Sequence, residues 1–343
     1  MNENTVGIIG HGHRALHAAQ ALLRGEHIAT IVLVESPWPS ATRAPIYNLL
    51  RSHAPAGPTT ARTGTMEDLA DAAVVVLAWD PMPPTGNPQA SPAMPDSPPS
   101  LSDLRSLVQT LDTQAPDAIL VTATGPMDPL TTIVTELSQR PSSRVLGTGT
   151  LPNTLHFRTL LADHYRVHPD SVYLLVLGAH GLHGVPVWSQ ALIGGHRLVR
   201  EELFGMPFDA DRLWHLFHTG EDQVHRAGPP DADGPATSVP SETQEQSRAE
   251  QAVACAVRQV VDAVLLDQRQ VLPVSTLLEG TFGIDDVCLS LPCVIGKAGV
   301  EDHAIPHLAD DEEEALNAAA QAVREALDAF AMNHAPDVPP PDA

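Results

Sequence analysis

The chain has few cysteines, few basic residues and no long apolar run. Its three cysteines, at positions 255, 288 and 293, are odd in number and lack zinc-ligand spacing, which favours reduced thiols in a cytoplasmic protein. Lysine and arginine total 19 against 42 acidic residues, a net charge of −23 that disfavours binding to nucleic acid or to an anionic membrane surface. No segment reaches the ~20 apolar residues that span a bilayer, and the first residues do not resemble a signal peptide.

What is present fits a folded α/β protein. Apolar residues make up 43% of the 343 positions and charged residues 18%, both ordinary for a globular protein, and the length suggests about two domains at ~150 residues each. Short, almost continuously apolar segments alternate with helical patterns at residues 6–9, 15–23, 28–34, 73–78 and 118–122. Such strands are typical of a parallel sheet covered on both faces, so we predict a doubly wound Rossmann sheet.

The first turn of this pattern carries a dinucleotide signal. Gly10, Gly12 and Ala15 fit the Gly-x-Gly-x-x-(Gly/Ala) fingerprint between a strand and a helix, and Glu35 ends the second strand. The glycines permit a tight turn and a close approach of the backbone to a pyrophosphate, which the helix N-terminus would bind. A carboxylate at position 35 would accept ribose hydroxyls and repel a 2′-phosphate, so the pattern favours NAD over NADP. A glycine turn without any dinucleotide is the alternative.

The second half has a mixed pattern. We expect helices at 155–164, 248–266 and 310–330, and strands at 172–177, 189–193, 271–278 and 287–295. Three segments lack such patterns: a proline-rich loop at 80–102, a flexible insertion at 228–246 and a disordered tail at 334–343. The predicted domains are an NAD-binding domain, 1–147, and an α+β substrate domain, 148–333.

Long segments resemble one family. Residues 116–195, which include RVLGTGTLPNTLHFR at 144–158, and residues 271–301, VLPVSTLLEGTFGIDDVCLSLPCVIGKAGVE, look like the lactate/malate dehydrogenases. The resemblance implies a Rossmann domain followed by a substrate domain, NAD as cofactor, a small-molecule substrate, and a homodimer or homotetramer. The implied reaction is hydride transfer between nicotinamide and the carbinol carbon of a 2-hydroxy acid.

This sequence keeps one catalytic residue of the family and replaces others. His180, in the turn Gly-Ala-His-Gly, matches the proton-transferring histidine. Asn153 stands where the family has the aspartate that orients this histidine, and an amide cannot stabilise an imidazolium as a carboxylate does. His156 replaces the arginine that grips the substrate carboxylate, and an imidazole lacks the fork geometry of a guanidinium. We therefore expect His180, Asn153 and His156 to form an altered catalytic set.

Other departures alter the cofactor side of the pocket. Gly125 replaces the asparagine of the family's Thr-Asn-Pro turn, and Trp79 lies in a turn that is small in the family, where its ring could stack on a ligand or obstruct the dinucleotide. The loop that should carry a catalytic arginine has none; Arg105 follows it, and Arg158 lies on a different face of its helix from position 156. The pocket is thus expected to be wider and less cationic.

These residues predict an NAD-dependent oxidoreductase that acts on a small molecule other than lactate or malate, and the changes in the pocket suggest specialised biosynthesis as its setting. The alternative is a non-redox protein on the same fold, either an acid/base enzyme or an NAD-binding or assembly subunit. Zinc binding by His156, His180 and His183 is a third reading, disfavoured because a His-x-x-His turn rarely directs both rings at one ion.

Overall fold

A large mixed sheet, flanked by helices, organises the chain. The computed structural model describes residues 4–10, 12–35, 59–79, 99–181, 183–198, 208–219 and 242–333. Within these ranges the helices are α1 His13–Leu22, α2 Leu101–Gln114, α3 Met127–Leu137, α4 Leu151–Tyr165, α5 Ala210–Thr219, α6 Glu242–Leu265 and α7 Asp310–Asn333. The strands of the first half are β1 Thr5–Ile9, β2 Thr30–Val34, β3 Thr60–Gly64, β4 Ala72–Leu77, β5 Ile119–Thr122 and β6 Val145–Gly147.

The strands of the second half are shorter, except for one long ribbon. They are β7 Val172–Tyr173, β8 Val176–Gly178, β9 Gly184–Pro186, β10 Leu192–Ile193, β11 His196–Arg197, β12 Gln270–Thr281, β13 Ile284–Gly296 and β14 Gly299–His303. The antiparallel pair β12 and β13 forms the ribbon. The strands β11, β10 and β7 make a separate small sheet, in that order.

The first six strands are parallel and lie in the order β3-β2-β1-β4-β5-β6. This is the Rossmann order: successive strands are added toward one edge of the sheet from β1 to β3, and toward the other edge from β4 to β6. The order of the strands therefore switches between β1 and β4. The strands are nearly all apolar and buried, apart from the exposed edge strand β3, as expected for a parallel sheet with helices on both faces. A ligand is therefore expected outside the carboxyl ends of β1 and β4.

The sheet continues into the second half of the chain. Beyond β6 the order is β12-β13-β8-β9, with β14 also paired to β13, and Ser275 of β12 pairs with Gly147 of β6. The predicted domain boundary after residue 147 thus falls at the last residue of a strand that bonds to both halves. The division into two domains stays a prediction.

Two core clusters cover the two faces of the Rossmann sheet. One packs apolar residues of α1 and α6 against β1, β2 and β4, and the other packs residues of α2 and α3 against the opposite face. Two further clusters lie in the second half, between α7 and β13 and around α4 and α5. The carboxyl edge of the sheet is therefore supported from both sides.

The structure corrects three predicted boundaries. The proline-rich loop was expected to run to residue 102, but α2 begins at Leu101 because Ser100 and Asp103 form a reciprocal capping box. The insertion was expected to end at 246, but α6 begins at Glu242 in a run of glutamate and glutamine, which favour helix. The last helix extends to Asn333. The remainder of the loop, 80–98, of the insertion, 228–241, and the tail, 334–343, lie outside the described residues.

Two strand predictions were also wrong. The segment 172–177 forms two strands in different sheets, β7 and β8. The segment 189–193 begins as a 3₁₀ turn, because the backbone N–H and the hydroxyl of Ser189 both donate to the buried carboxylate of Glu312 at 2.8 and 2.6 Å. Helix α1 and strands β1, β2, β4, β5, β12 and β13 confirm the predicted elements. In the described ranges, none of the helices combines the length and apolar character that crossing a membrane requires.

Candidate functional site

The loop between β1 and α1 has the backbone shape that a dinucleotide needs. A Cβ at Gly10 would lie 2.2 Å from the backbone oxygen of Ala78, so any side chain would collide with the turn after β4. Gly12 caps α1 with a φ of 91°, which is strained for residues with a Cβ. Ala15 is fully buried where the helix meets the sheet, and Glu35 directly follows β2 and is exposed. These four residues occupy the places that the fingerprint predicts, and they fit a bound dinucleotide.

The side chain of Trp79 is buried in the core just beyond β4. It is 4% exposed and belongs to the core cluster that also contains Leu104, Leu107 and Leu130, on the side of α2 and α3. Its backbone oxygen accepts a hydrogen bond of 2.8 Å from the Thr124 hydroxyl. Burial in the core is therefore sufficient to explain the side chain, and a contact between Trp79 and a cofactor stays a prediction.

The ring of His180 is held by a backbone carbonyl. Its Nδ1 lies 3.1 Å from the oxygen of Gly149, two residues beyond β6. Because a carbonyl oxygen only accepts hydrogen bonds, the hydrogen must reside on Nδ1, and Nε2 of the neutral ring is then a proton acceptor. The arrangement selects the tautomer that can take a proton from a substrate hydroxyl.

The backbone of His180 is fixed by a buried carboxylate. Asp128, in the first turn of α3, accepts the backbone N–H of His180 at 2.7 Å. The hydroxyl of Ser290 donates to the other carboxylate oxygen at 3.4 Å and accepts the N–H of Thr150 at 2.9 Å. Since Thr150 follows Gly149, these bonds close a ring around His180 that joins α3, β13 and the start of α4.

Burial alters the acid strength of both groups. It raises the pKa of Asp128 to about 6, against the opposing effect of the His180 N–H. It lowers the pKa of His180 to about 4, and the positive charge of Arg14 lowers it further, while the hydrogen bond to Gly149 acts in the opposite direction. The imidazole is therefore neutral near pH 7. A weak base at this position was expected from Asn153, but the physical causes are burial and a nearby cation.

Arg14 brings a cation to the carboxyl edge of the sheet. It lies in the first turn of α1, and its Nη1 donates a hydrogen bond of 3.2 Å to the oxygen of Ala123, just beyond β5. A Cβ built on Gly125 would be 3.9 Å from the same nitrogen. A guanidinium thus lies beside the turn that leads from β5 to Asp128.

Asn153 and His156 do not contact His180 through hydrogen bonds in the described part of the chain. Asn153 is 8% exposed, and its Oδ1 is buried with no hydrogen-bond partner among the described residues. The exposed His156 lies with its ring centroid 5.3 Å from that of Phe217 on α5. The roles predicted for Asn153 as orienting residue and for His156 as substrate contact stay predictions.

Two further arginines were considered for the site. Arg158 donates to the oxygen of Leu174 at 2.9 Å and lies over the ring of Tyr173, so it attaches α4 to β7 and the segment after it, and it forms no ion pair with the described residues. Arg105 is exposed on α2. In the ranges that the structure covers, there is no group of three or more His, Cys, Asp or Glu side chains that could hold a metal ion.

The sequence analysis missed Asp128, Ser290 and Arg14. A signal existed for the first: an aspartate in the apolar stretch Met127–Leu137 needs hydrogen-bond partners, because burying an unpaired carboxylate is costly. Arg14 lies inside the fingerprint, but the fingerprint assigns roles to the backbone of the turn and none to the side chain at this position. No local pattern marks Ser290, which lies in a long apolar strand.

Comparison with known proteins agrees with this geometry. Residues 242–333 match the family described as lactate/malate dehydrogenase, alpha/beta C-terminal domain. The L-lactate dehydrogenase of Salinibacter ruber is 36% identical over 328 residues, 95% of this chain and 97% of that protein, and the L-lactate dehydrogenase of Thermus aquaticus is 30% identical over 326 residues, 95% and 99% respectively.

Solved structures have the same fold. The minor L-lactate dehydrogenase of Enterococcus mundtii superposes with a TM-score of 0.77 in its ligand-bound form and 0.76 in its unbound form, each at 22% identity and over 96% of this chain, with 99% and 97% of the other chain covered. The order of the parallel strands, the glycine turn, the position of His180 and the near-complete coverage of these relatives lead to one conclusion. The chain is a member of the lactate/malate dehydrogenase family.

Proposed function

We propose that this protein is an NAD-dependent oxidoreductase that interconverts an alcohol and a carbonyl group on a small molecule other than lactate or malate. The observation that carries the proposal is the hydrogen bond from Nδ1 of His180 to Gly149, because it leaves Nε2 ready to exchange a proton. The relatives from Salinibacter ruber and Thermus aquaticus are named L-lactate dehydrogenases, which supports a dehydrogenase of this family.

NAD fits the carboxyl edge of the Rossmann sheet. The N–H groups at the start of α1 would bind the pyrophosphate, Gly10 and Gly12 leave room for it, and Glu35 would accept the ribose hydroxyls. When bound, NAD supplies a nicotinamide carbon that exchanges hydride with the substrate. The protein must supply the proton transfer and hold the substrate.

His180 performs the proton transfer in this scheme. During oxidation, Nε2 accepts the hydroxyl proton as the carbinol C–H bond loses its hydride, and during reduction the imidazolium returns the proton to the carbonyl oxygen. Asp128 holds the backbone of His180, and Gly149 holds its ring, so Nε2 keeps one direction through the cycle. Asn153 and His156 are proposed as the orienting residue and a polar substrate contact.

The substrate is proposed to differ from lactate and malate because position 156 carries no guanidinium. The ring of His156 lies against Phe217, which packs on the core cluster around α4 and α5. The test is NADH oxidation with a panel of aldehydes, ketones, 2-oxo acids and imines, with pyruvate and oxaloacetate as references. We expect a panel member to have a higher kcat/KM than both references. Rapid reduction of pyruvate or oxaloacetate would show that the substrate proposal is wrong.

A second candidate is a non-redox protein that has kept the fold. The observation in its favour is the partnerless buried Oδ1 of Asn153 among the described residues, at the place where the family has a charged orienting group. Calorimetry distinguishes the two. NADH binding without turnover of any panel member supports a binding subunit, and absence of NADH binding supports a converted pocket. If His180→Ala leaves every measured activity unchanged, the histidine has no part in either scheme.

We propose a cytoplasmic homodimer or homotetramer, which the family resemblance supports. Light scattering coupled to size-exclusion chromatography would give the mass in solution, to be compared with the chain mass of 36.5 kDa. A single-chain mass at micromolar concentration would contradict this assembly.

A further inference from the structure

The two groups that hold His180 are joined to each other by Ser290. The ring of His180 bonds to the oxygen of Gly149, and its backbone N–H bonds to the carboxylate of Asp128. The oxygen of Gly149 and the N–H of Thr150 belong to one peptide group, and that N–H donates to the hydroxyl of Ser290 at 2.9 Å. The same hydroxyl lies 3.4 Å from the other oxygen of Asp128. A closed hydrogen-bond circuit therefore runs from the imidazole to a buried carboxylate and back to the same histidine.

The chemistry of the atoms determines the direction of each hydrogen bond in this circuit. A backbone N–H can only donate, so Oγ of Ser290 accepts from Thr150 and uses its own hydrogen to donate to Asp128. A carbonyl oxygen can only accept, so Nδ1 of His180 donates to Gly149. Every donor along this path thus points toward the carboxylate, and hydrogen bonds aligned in this way polarise one another.

The close approach of this peptide group to Ser290 requires a glycine. Gly149 has a φ of 48°, and a Cβ built on it would collide with Oγ of Ser290. The hydroxyl of Thr150 donates to the oxygen of Val176 in β8, which attaches the peptide group to a second strand. Ser290 itself is fully buried in β13. The local sequence and its packing therefore keep the peptide group and the serine in contact.

We propose that Ser290 is a positioning residue that transmits the negative charge of Asp128 to the imidazole of His180. The path is the peptide group between Gly149 and Thr150. This inference rests on the proposed function, in which the ring becomes positively charged when it accepts the substrate proton. An anion at the end of aligned donors strengthens the bond that the ring makes to the carbonyl, and a stronger bond there favours the charged ring. The circuit thus supplies part of the stabilisation that a carboxylate at position 153 would supply directly.

Asp128 also acts on His180 without the serine, through the backbone N–H that it accepts at 2.7 Å. The two paths reach different atoms of the histidine: the direct bond reaches the backbone nitrogen, and the circuit reaches Nδ1 of the ring. The longest link of the circuit is the contact of 3.4 Å between Ser290 and Asp128. Substitution of the serine breaks that link and leaves the direct bond in place, so it separates the two paths.

The ionisation of Asp128 provides the signal for a test, because burial raises its pKa to about 6. Two neighbouring groups keep their charge state between pH 5 and pH 8: the guanidinium of Arg14, whose charge acts on His180, and the thiol of Cys288 on β13, whose pKa burial raises to about 12. Glu136, about two turns further along α3, also has its pKa raised by burial. Asp128→Asn therefore shows which of the two carboxyl groups is responsible for a change in this range.

The experiment follows the nitrogen-15 shifts of His180 from pH 5 to pH 8 by NMR, in protein labelled at its histidines. The Nδ1 shift reports the hydrogen bond of the ring, and the backbone shift reports the bond to Asp128. His180→Gln identifies the signals by removing them. The wild type is compared with Ser290→Ala, Ser290→Cys and Asp128→Asn.

Ser275→Ala is the matched control. Ser275 lies opposite Ser290 in the pairing of β12 with β13, and both side chains are fully buried. The Ser275 hydroxyl lowers the pKa of Asp128, although it makes no hydrogen bond of ordinary geometry with the described residues. Its removal changes the surroundings of the carboxylate and leaves every bond of the circuit in place.

In the wild type we expect both shifts to change with an inflection near pH 6, as Asp128 loses its proton. In Ser290→Ala the backbone shift should keep this inflection, and the Nδ1 shift should lose most of it. Ser290→Cys should keep a small part, because a thiol is a weak donor. Ser275→Ala should keep both inflections, and Asp128→Asn should lose both. With a substrate of the panel, Ser290→Ala should lower kcat about tenfold at unchanged KM, because a bond to a charged group is lost while the substrate contacts remain.

Two results would overturn the inference. The first is an Nδ1 shift in the wild type that does not follow the ionisation of Asp128. The second is an Nδ1 inflection of wild-type size in a folded Ser290 variant, either the alanine or the cysteine, which would assign the effect to the direct bond. The shifts require neither cofactor nor substrate. If the circuit responds as expected and no panel member is reduced, the proposed function fails and the link through Ser290 stands.

Discussion

The Nδ1 atom of His180 lies 3.1 Å from the carbonyl oxygen of Gly149, so the backbone and not a carboxylate holds the imidazole ring. A neutral partner of this kind fixes the tautomer without stabilising the protonated ring as an anion would. The consequences for activity and for stability can be measured separately.

The first prediction concerns how the rates of reduction and of oxidation depend on pH. Because the pKa of His180 is lowered to about 4, the imidazolium fraction falls about tenfold with each pH unit above that value. The kcat/KM for carbonyl reduction should therefore decrease about tenfold per unit from pH 5 to pH 8, and that for alcohol oxidation should be flat. Stopped-flow measurement of initial rates tests this. A bell-shaped profile for reduction centred near pH 7 would contradict it.

The second prediction concerns stability in the same pH range. Asp128 is protonated more strongly in the folded chain, with its pKa raised to about 6 from 3.8, so its contribution to stability is lost as the pH rises from about 4 to 6. His180 is protonated less strongly, with its pKa lowered from 6.5 to about 4, so its contribution is gained as the pH rises through that range. The two slopes oppose each other in the wild type.

Single substitutions should separate these slopes. In His180→Gln the free energy of unfolding should decrease by about 2 kcal/mol between pH 4 and pH 6, and in Asp128→Asn it should increase by about the same amount, at 1.36 kcal/mol per pKa unit. Urea unfolding at several pH values measures both, and the double variant, with neither slope, is the control. Equal slopes in the two single variants would show that this assignment is wrong.

The third prediction concerns a negative charge introduced at position 153. Asn153→Asp places a carboxylate at the position predicted to orient His180, and an anion near the ring favours the imidazolium. We expect the pKa of His180 to rise by one unit or more, which gives about tenfold more protonated ring near neutrality, and the rate of reduction at pH 7 to rise accordingly. NMR titration of the histidine reports the pKa, and Asn153→Leu is the uncharged control. An unchanged pKa would mean that residue 153 does not interact with the ring.

The fourth prediction separates packing from binding at Trp79. Trp79→Ala should destabilise the fold by about 3–5 kcal/mol because it empties a filled site in the core between the sheet and α2. Trp79→Phe should recover most of that stability. If the ring only packs, the phenylalanine variant binds NADH with wild-type affinity by fluorescence. A weakened NADH affinity at near-normal stability would support the predicted contact with the cofactor.

Features that depend on neighbouring residues were predictable from the sequence. The strands β1 and β2 follow from apolar runs. The glycine pattern predicts the turn after β1, where Gly10 leaves no room for a side chain and Gly12 adopts a positive φ. The general fold follows in the same way from the alternation of apolar runs and helical patterns, whereas His180 was selected through the resemblance of its turn to the family's.

Features that depend on distant residues were not predictable. The bond from His180 to Asp128 joins positions 52 apart, and the bond from Ser290 to the same carboxylate spans 162 positions. The turn at Ser189 forms in place of a strand because of Glu312, 123 residues further along the chain. In each case a polar side chain satisfies a buried group far away in sequence, and no periodic pattern records that partnership.

The pairing of β6 with both β5 and β12 joins the glycine turn after β1 and the segment that holds His180 to one continuous sheet. For the proposed reaction, the distance between a dinucleotide at the glycine turn and Nε2 of His180 would then follow from the spacing of the strands that lie between them. Substitutions of side chains along this edge would change what binds there without changing that spacing.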